Sequence, residues 1–485
     1  MFLVPHAVAF ASEDFARVPA TNSGYHAWSL LLPASKIPST MPPLLRTLRL
    51  SDLLLLFIGS VIGSGIFLTP GLILQQLNGS VGLSLLVWFV GGILSLLGAL
   101  TYAELAASNS EAGGLYCYIR DGFGRMPAFL YGWSLFLIIA SGTIAALARA
   151  FTRYLAEIIP LSPIASTVVG VAMIAVVTAV NIWGTRKSSD LQNWTTLTKV
   201  GMVAVLSAVL LSMGHHAADL PRALGTSQHG FSLLSNFGLA MIAVLWAYEG
   251  WQFGTYSAGE VLKPQQAFPK AFLLGSLFLM ALYLIAVIAY LVALGPAAAT
   301  VSDAIAADAV SLVLGPWAGK IVAIAILIST FSATNSVILT APRVFYAMAN
   351  DNLFFKKLAQ VHLRFQTPAW AIIALGVWSA ILSCAGKFAE LASGAIFIGW
   401  IFYGLGAAAI FPIRRASRGL PIPYRVPGYP WTPLIFVIVA AAIVGNAIFL
   451  AFVDPSQFRY LAVAIVIFLL GLPAYYFWRR KQTPA

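Results

Sequence analysis

Nine residues, Gly59-Ser60-Val61-Ile62-Gly63-Ser64-Gly65-Ile66-Phe67, lie in the middle of an apolar run over 51–74. Three glycines and two serines in the first seven make helix a poor local choice, because each glycine costs roughly 1 kcal/mol relative to alanine. Backbone freed at mid-membrane is tolerated only where it lines a cavity or holds a ligand. Two half-helices meeting at Gly63-Ser64-Gly65 would present free N–H groups at a helix N-terminus. That end is partly positive and attracts a carboxylate, and Ser64 could add a hydroxyl donor. A second reading stays open. Gly59 and Gly63 have the Gly-xxx-Gly spacing of a helix packing seam.

A second unusual stretch is Trp246-Ala247-Tyr248-Glu249-Gly250-Trp251, with Gly254 and Gly259 after it, inside the run 231–259. Trp246 is a large flat side chain suited to closing a pocket, and nearby carbonyls could receive an ammonium group. Packing or interfacial aromatics are the alternative. A carboxylate at mid-span costs at least about 2.5–3.5 kcal/mol, so Glu249 should face a cavity or a cation. It could carry a proton or pair with a substrate cation. Lys199, about two turns into the run 191–214, is as costly unless it snorkels to the interface. Otherwise it is a fixed positive charge, with Ser329, Thr330, Ser332 and Asn335 as possible oxygen partners, or a group that loses and regains a proton.

These residues need elements that hold them at bilayer depth. The chain of 485 residues is 60% hydrophobic and 9% charged, where a soluble protein carries about a quarter charged residues. This composition identifies an all-α integral membrane protein. Apolar runs of bilayer length number twelve, at 51–74, 81–107, 123–150, 164–182, 191–214, 231–259, 271–294, 317–347, 368–385, 388–413, 432–452 and 458–477. Alternate loops carry 19 Lys and Arg residues against six on the opposite loops and helix ends. That bias places both termini in the cytoplasm. Residues 1–45 show no helical period and no basic-then-apolar signal pattern, and read as a disordered cytoplasmic tail or as sequence preceding a start at Met41. Runs 1–5 (46–230) and 6–10 (231–413) each begin with a glycine-interrupted segment. Five spans is an odd number, so the two halves would be inverted, an arrangement that places a transport site where the interrupted segments meet. The remainder, 414–485, holds the last two spans.

Other functions find no support. The net charge of +12 follows from the basic loops, and no basic patch is interleaved with aromatics for nucleic acid. No phosphate loop for ATP hydrolysis and no nucleophile–base motif stands out, and a membrane-embedded transferase would need polar catalytic clusters that are missing. Cys117 and Cys384 form no disulfide framework or metal-ligand spacing. His215-His216 and His229 read as solvated loop residues. No cofactor and no metal are expected, and the protein is not an enzyme.

Ser60-Val61-Ile62-Gly63-Ser64-Gly65-Ile66-Phe67 resembles the first-span signature of the amino acid–polyamine–organocation superfamily. Tyr102-Ala103-Glu104-Leu105 with Gly113-Gly114-x-Tyr116-x-Tyr118 is similar to its second-span exit. Trp246 to Trp251, then Glu260 and Pro264, resembles the sixth span of the L-type amino acid transporter branch. Asn335 to Arg343 and Tyr346-Ala347-Met348-Ala349 resemble its eighth-span exit. The resemblance implies a LeuT-type fold of 12 helices, two inverted five-helix repeats plus two. It implies carboxylate binding near Ser60, Val61, Gly63, Ser64 and Gly65, and amino-group binding near Trp246, Ala247, Glu249 and Gly250. Lys199, with Ser329 and Ser332, would replace a sodium site, so transport would not need Na⁺. Trp246 departs from the usual phenylalanine gate. Animal members of the branch bond a heavy-chain subunit through a cysteine after the third span. This chain has none around 157–162, so no disulfide-linked partner is expected. The expected function is secondary transport of L-amino acids, neutral ones first, as an exchanger or H⁺-coupled permease of the cell (inner) membrane. A carrier of cationic amino acids or polyamines and a non-transporting receptor of the same fold are the alternatives.

Overall fold

The structure, a computed structural model, describes residues 44–226, 229–385, 388–418, 421–453 and 455–480. The tail expected over 1–45, except for its last two residues, lies outside the described residues, as does the choice between Met1 and Met41.

The described chain is helical. Its first apolar run divides into α1 (Leu50–Val61) and α2 (Gly65–Gln76), bent by 44° at the break. Ile62 is extended there (φ −71, ψ 94), which ends α1. Next come α3 (Val81–Ser108), α4 (Arg125–Ala156, with a π turn at Leu135–Ile139), α5 (Pro163–Ile182) and α6 (Thr185–Met213). Two of these starts follow from local chemistry. The Ser80 and Ser162 hydroxyls accept the N–H groups of Leu83 and Ala165, and Pro163 occupies a first-turn position where no N–H is needed.

The sixth run is α7 (Gly230–Ala247), an interruption over 248–252, and the single turn α8 (Phe253–Tyr256). Beyond it lie α9 (Pro264–Leu294), α10 (Pro316–Asn350), α11 (Ala369–Ala385), α12 (Phe388–Ala408), α13 (Trp431–Val453) and α14 (Pro455–Arg480). Among the described residues eight helices are long and apolar enough to cross a membrane, and the bent α1–α2 pair makes nine. Helices also occupy the sixth, ninth and twelfth runs. The sixth is cut by its interruption, and α11, with 17 residues, is shorter than the roughly 20 that span a bilayer.

α1 packs against α6, α9 and α10, whereas α2 packs against α7. The first break therefore lies among the helices that carry the other candidate residues. α6 begins six residues before the expected 191, so Lys199 is the middle residue of this 29-residue helix, and it is fully buried. It does not snorkel.

Among the described residues most of the ion pairs join loops and helix ends on the side where α1 starts and α3 ends. Asp52 accepts from Arg186 (2.6 Å), Asn193 (2.7 Å) and the Arg49 N–H (2.8 Å), and Arg186 also pairs with Asp190. Glu104, buried at the end of α3, holds Arg414 (2.6 and 2.5 Å). Glu260 and Arg343, 1% and 0% exposed, pair at 2.6 Å, and both bond the Thr185 hydroxyl. Thr47 and Leu48 donate their N–H groups to the Glu260 carbonyl at 2.9 Å, and Leu262 donates to the Leu48 carbonyl at 2.8 Å. The segment before α1 is thus laid across the one after α8.

Candidate functional site

The end of α1 leaves carbonyls that the helix itself cannot satisfy. Ile62 N–H reaches the Ile58 carbonyl, and four carbonyls beyond it find side-chain donors. Lys199 Nζ donates to Gly59 O (2.5 Å) and Ile62 O (2.7 Å). Ser329 Oγ donates to Ile62 O (2.9 Å) and Gly63 O (3.0 Å). Tyr283 Oη lies 3.2 Å from Val61 O and 3.2 Å from Ala247 O, the last carbonyls of α1 and α7. A buried ammonium is costly unless its donors are used. Here the partly negative end of α1 receives it.

The start of α2 is the complementary pole. Among the described residues no acceptor meets the N–H groups of Gly63, Ser64, Gly65 and Ile66, and Ser64 makes no side-chain cap. A side chain added at Gly63 would meet nothing within 4 Å. The break thus combines unpaired donors, a helix N-terminus and adjoining space, the combination that holds an anion such as a carboxylate.

The second interruption closes on the first by way of two glycines. A Cβ on Gly65 would stand 2.8 Å from Ala247 Cα, so only glycine lets α2 start against the end of α7. Gly250 has φ +120, a region L side chains rarely adopt, and its face lies on the Ser60 carbonyl. Glu249 and Trp246 are half-buried beside this contact. Glu249 Oε1 accepts the Tyr403 hydroxyl at 2.9 Å, whereas Oε2 is buried without a partner. Gln252 uses its oxygen on the Gly250 N–H (3.2 Å) and leaves Nε2 buried without an acceptor.

The two readings of the glycine motif divide between different residues. Gly59 packs against Gln192 and Thr196 on α6, a seam, while Gly63 faces open space. Of the named candidates, Ser60, Val61, Gly63, Ser64, Gly65, Ala247, Gly250, Lys199 and Ser329 converge on the two breaks. The Ser60 hydroxyl is taken up by its own helix, on Leu56 O (2.5 Å) and Phe57 O (3.1 Å), so only its backbone faces the break. Ser332 does not join Lys199. Its hydroxyl accepts from Gln192 (3.2 Å) and Thr195 (2.9 Å) in a buried polar network with Asn335, Asn181 and Ser188. Thr330 bonds back to Ile326 O (2.8 Å) within α10. The sequence reading missed Tyr283, Tyr403 and Gln252. A tyrosine inside an apolar run was the available signal, since a buried hydroxyl needs a partner.

A family profile described as "Amino acid permease" matches residues 48–472. The chain is 31% identical to the serine/threonine exchanger SteT of Bacillus subtilis over 441 residues, covering 88% of this chain and 96% of that one. It is 29% identical to the human cystine/glutamate transporter over 436 residues (88% and 84%). It is also 29% identical to the mouse b(0,+)-type amino acid transporter 1 over 429 residues (87% and 85%). These relatives are transporters rather than enzymes. With its broken helices, its apolar helical bundle and matches running nearly end to end, the chain belongs to the amino acid permease family, within the L-type branch of the amino acid–polyamine–organocation superfamily.

Proposed function

We propose that this multi-pass membrane protein is a secondary transporter of L-amino acids, neutral ones first, working by alternating access as an exchanger or an H⁺-coupled permease. The carrying observation is the apposition of opposite helix poles. The unpaired N–H groups of 63–66 suit the α-carboxylate, and the carbonyl end of α7 suits the α-ammonium. In this reading Lys199 and Ser329 hold the oxygens of Gly59, Ile62 and Gly63 that a coupling sodium would otherwise use, so Na⁺ is not required. Residues 46–230 and 231–413 form the inverted halves, 414–485 adds the last two spans, and both termini are cytoplasmic in the cell (inner) membrane. Cys117 is buried and Cys384 exposed, both free, and no disulfide-linked heavy chain is proposed.

Counter-transport in proteoliposomes tests the proposal. Vesicles preloaded with unlabelled amino acid should take up labelled serine or leucine equally in Na⁺ and choline buffers. Uptake of no amino acid, with or without a proton gradient, would refute it. Binding without flux would identify a receptor of the same fold. A second reading, transport of cationic amino acids or polyamines, is favoured by the unpaired Glu249 Oε2. Stronger competition by arginine and putrescine than by leucine and serine would select it.

A further inference from the structure

Two loops meet on the side where α1 starts, and they carry a surface that the transport site does not use. One joins α5 to α6 and the other joins α10 to α11. They are tied together, because the Thr367 hydroxyl donates to the Ile182 carbonyl at 2.9 Å and the Phe365 carbonyl lies against Gly184. Residues 352–370 contain Lys356, Lys357 and Arg364 but no Asp or Glu. Lys187 adds a fourth charge from the first turn of α6. All four are exposed, and among the described residues none forms an ion pair with a carboxylate. The acidic residues that flank these segments, Asp190 and Asp351, are committed to Arg186 and Arg120.

The charges are interleaved with exposed apolar side chains. Leu363, beside Arg364, is 82% exposed. Trp183 and Trp370, both exposed, stand at the end of α5 and in the first turn of α11. Tryptophan at the end of a membrane helix marks headgroup depth. Lys357 Nζ lies 3.6 Å over the Trp370 ring, so its charge is held at that depth. The 17 residues of α11 make about 26 Å of helix, short of the roughly 30 Å hydrocarbon core. A short span draws its flanking residues toward the bilayer surface. We propose that these two loops form a docking surface for anionic phospholipids of the surrounding membrane. The lipid phosphates bind Lys187, Lys356, Lys357 and Arg364, and Leu363 enters the acyl region. A zwitterionic lipid brings its own ammonium to each phosphate and competes poorly for the four cations. An acidic protein segment would match the charges but would leave Leu363 and the two tryptophans without an apolar partner. The proposal rests on the chain spanning a membrane and not on the transport reading, so it stands or falls separately from uptake.

The test titrates the full-length protein, purified in detergent, with dioleoylphosphatidylglycerol or dioleoylphosphatidylcholine and reads the thermal unfolding midpoint. The anionic lipid should raise the midpoint by at least about 3 °C more than the zwitterionic one. That excess should shrink in about 0.5 M NaCl, because exposed charges are screened. The apparent affinity for the anionic lipid should fall at least about 10-fold when Lys187, Lys356, Lys357 and Arg364 are all replaced by glutamine. If the fourfold variant does not purify, Lys356→Gln with Lys357→Gln and Lys187→Gln with Arg364→Gln are measured as two pairs, and each should lose part of the excess. Equal midpoints with the two lipids overturn the proposal. So does an excess that survives in the variants, which would move the anionic lipid to another surface. An equal rise with inorganic phosphate reassigns the cations to a soluble anion, and an equal rise with polyglutamate reassigns them to an acidic protein. Either result overturns the lipid surface.

Discussion

Lys199 shows how one side chain can fix a helix end. It stands at the centre of α6, fully buried, and two of its donors go to the Gly59 and Ile62 carbonyls. Ser329 shares the Ile62 carbonyl and extends the contact to Gly63. Removing the ammonium leaves Gly59 O without a donor in a medium that offers no water, a loss of about 1–3 kcal/mol for an unsatisfied buried group. It also frees the last turn of α1 from α6. Lys199→Ala should therefore insert and purify as a monodisperse protein while counter-transport falls to the level of empty vesicles. Uptake within twofold of the unsubstituted protein would refute this role. The serines near the break differ in kind. Ser60 is turned back into its own helix, so its substitution should matter less than that of Ser329.

The breaks are the elements that carry the proposed site, and their glycines offer a way to separate stability from function. Gly63 lies beside open space and has no positive φ, so Gly63→Ala should leave the thermal unfolding midpoint within about 2 °C, the size expected of a substitution that disturbs no packing. Its added methyl enters the space next to the unpaired N–H groups and should weaken substrate binding. Gly250→Ala meets a φ of +120 and the Ser60 carbonyl together, and should lower stability by roughly 1–3 kcal/mol. Equal unfolding midpoints for the two variants would show that the breaks do not meet as described. Both interruptions were legible in the sequence because local propensity sees them. Glycine and serine at 59–65, and a charge with glycines at 246–259, are poor helix at any depth. The partners that satisfy the breaks were not legible. Tyr283 reaches Val61 across 222 residues and Tyr403 reaches Glu249 across 154, each from a predominantly apolar run. Periodicity reports that such a run is buried, but not which turn of it meets which carbonyl. Lys199 was found by its cost, yet its depth was misplaced, because the polar residues 185–190 that begin α6 do not belong to an apolar run.

At the scale of the whole molecule, the ion pairs among the described residues divide its two ends unevenly. Asp52–Arg186, Glu104–Arg414, the Arg120 cluster with Glu111, Asp121 and Asp351, and Glu260–Arg343 all join elements on one side. Glu260 and Arg343 are the most enclosed, and the backbone of Thr47, Leu48 and Leu262 is tied to the same point. In the alternating-access cycle proposed above these elements separate once per turnover, and the buried pair would then set how strongly this end stays shut. Breaking a buried pair by removing one partner costs about 3–5 kcal/mol, because the other charge is left unpaired. Arg343→Met does this to Glu260. The penalty falls on the closed arrangement and is relieved when Glu260 reaches water, so the population moves toward the state open at this end. A differential of about 3 kcal/mol is roughly a 150-fold shift in the equilibrium. A reporter thiol at the break reads it. With Cys117 and Cys384 replaced by serine and Gly63→Cys added, a small maleimide should alkylate the Arg343→Met protein at least about 10-fold faster. Its thermal midpoint should also be lower. Unchanged alkylation and an unchanged midpoint would mean that the pair bears no closing load and that the other contacts at this end hold it without help.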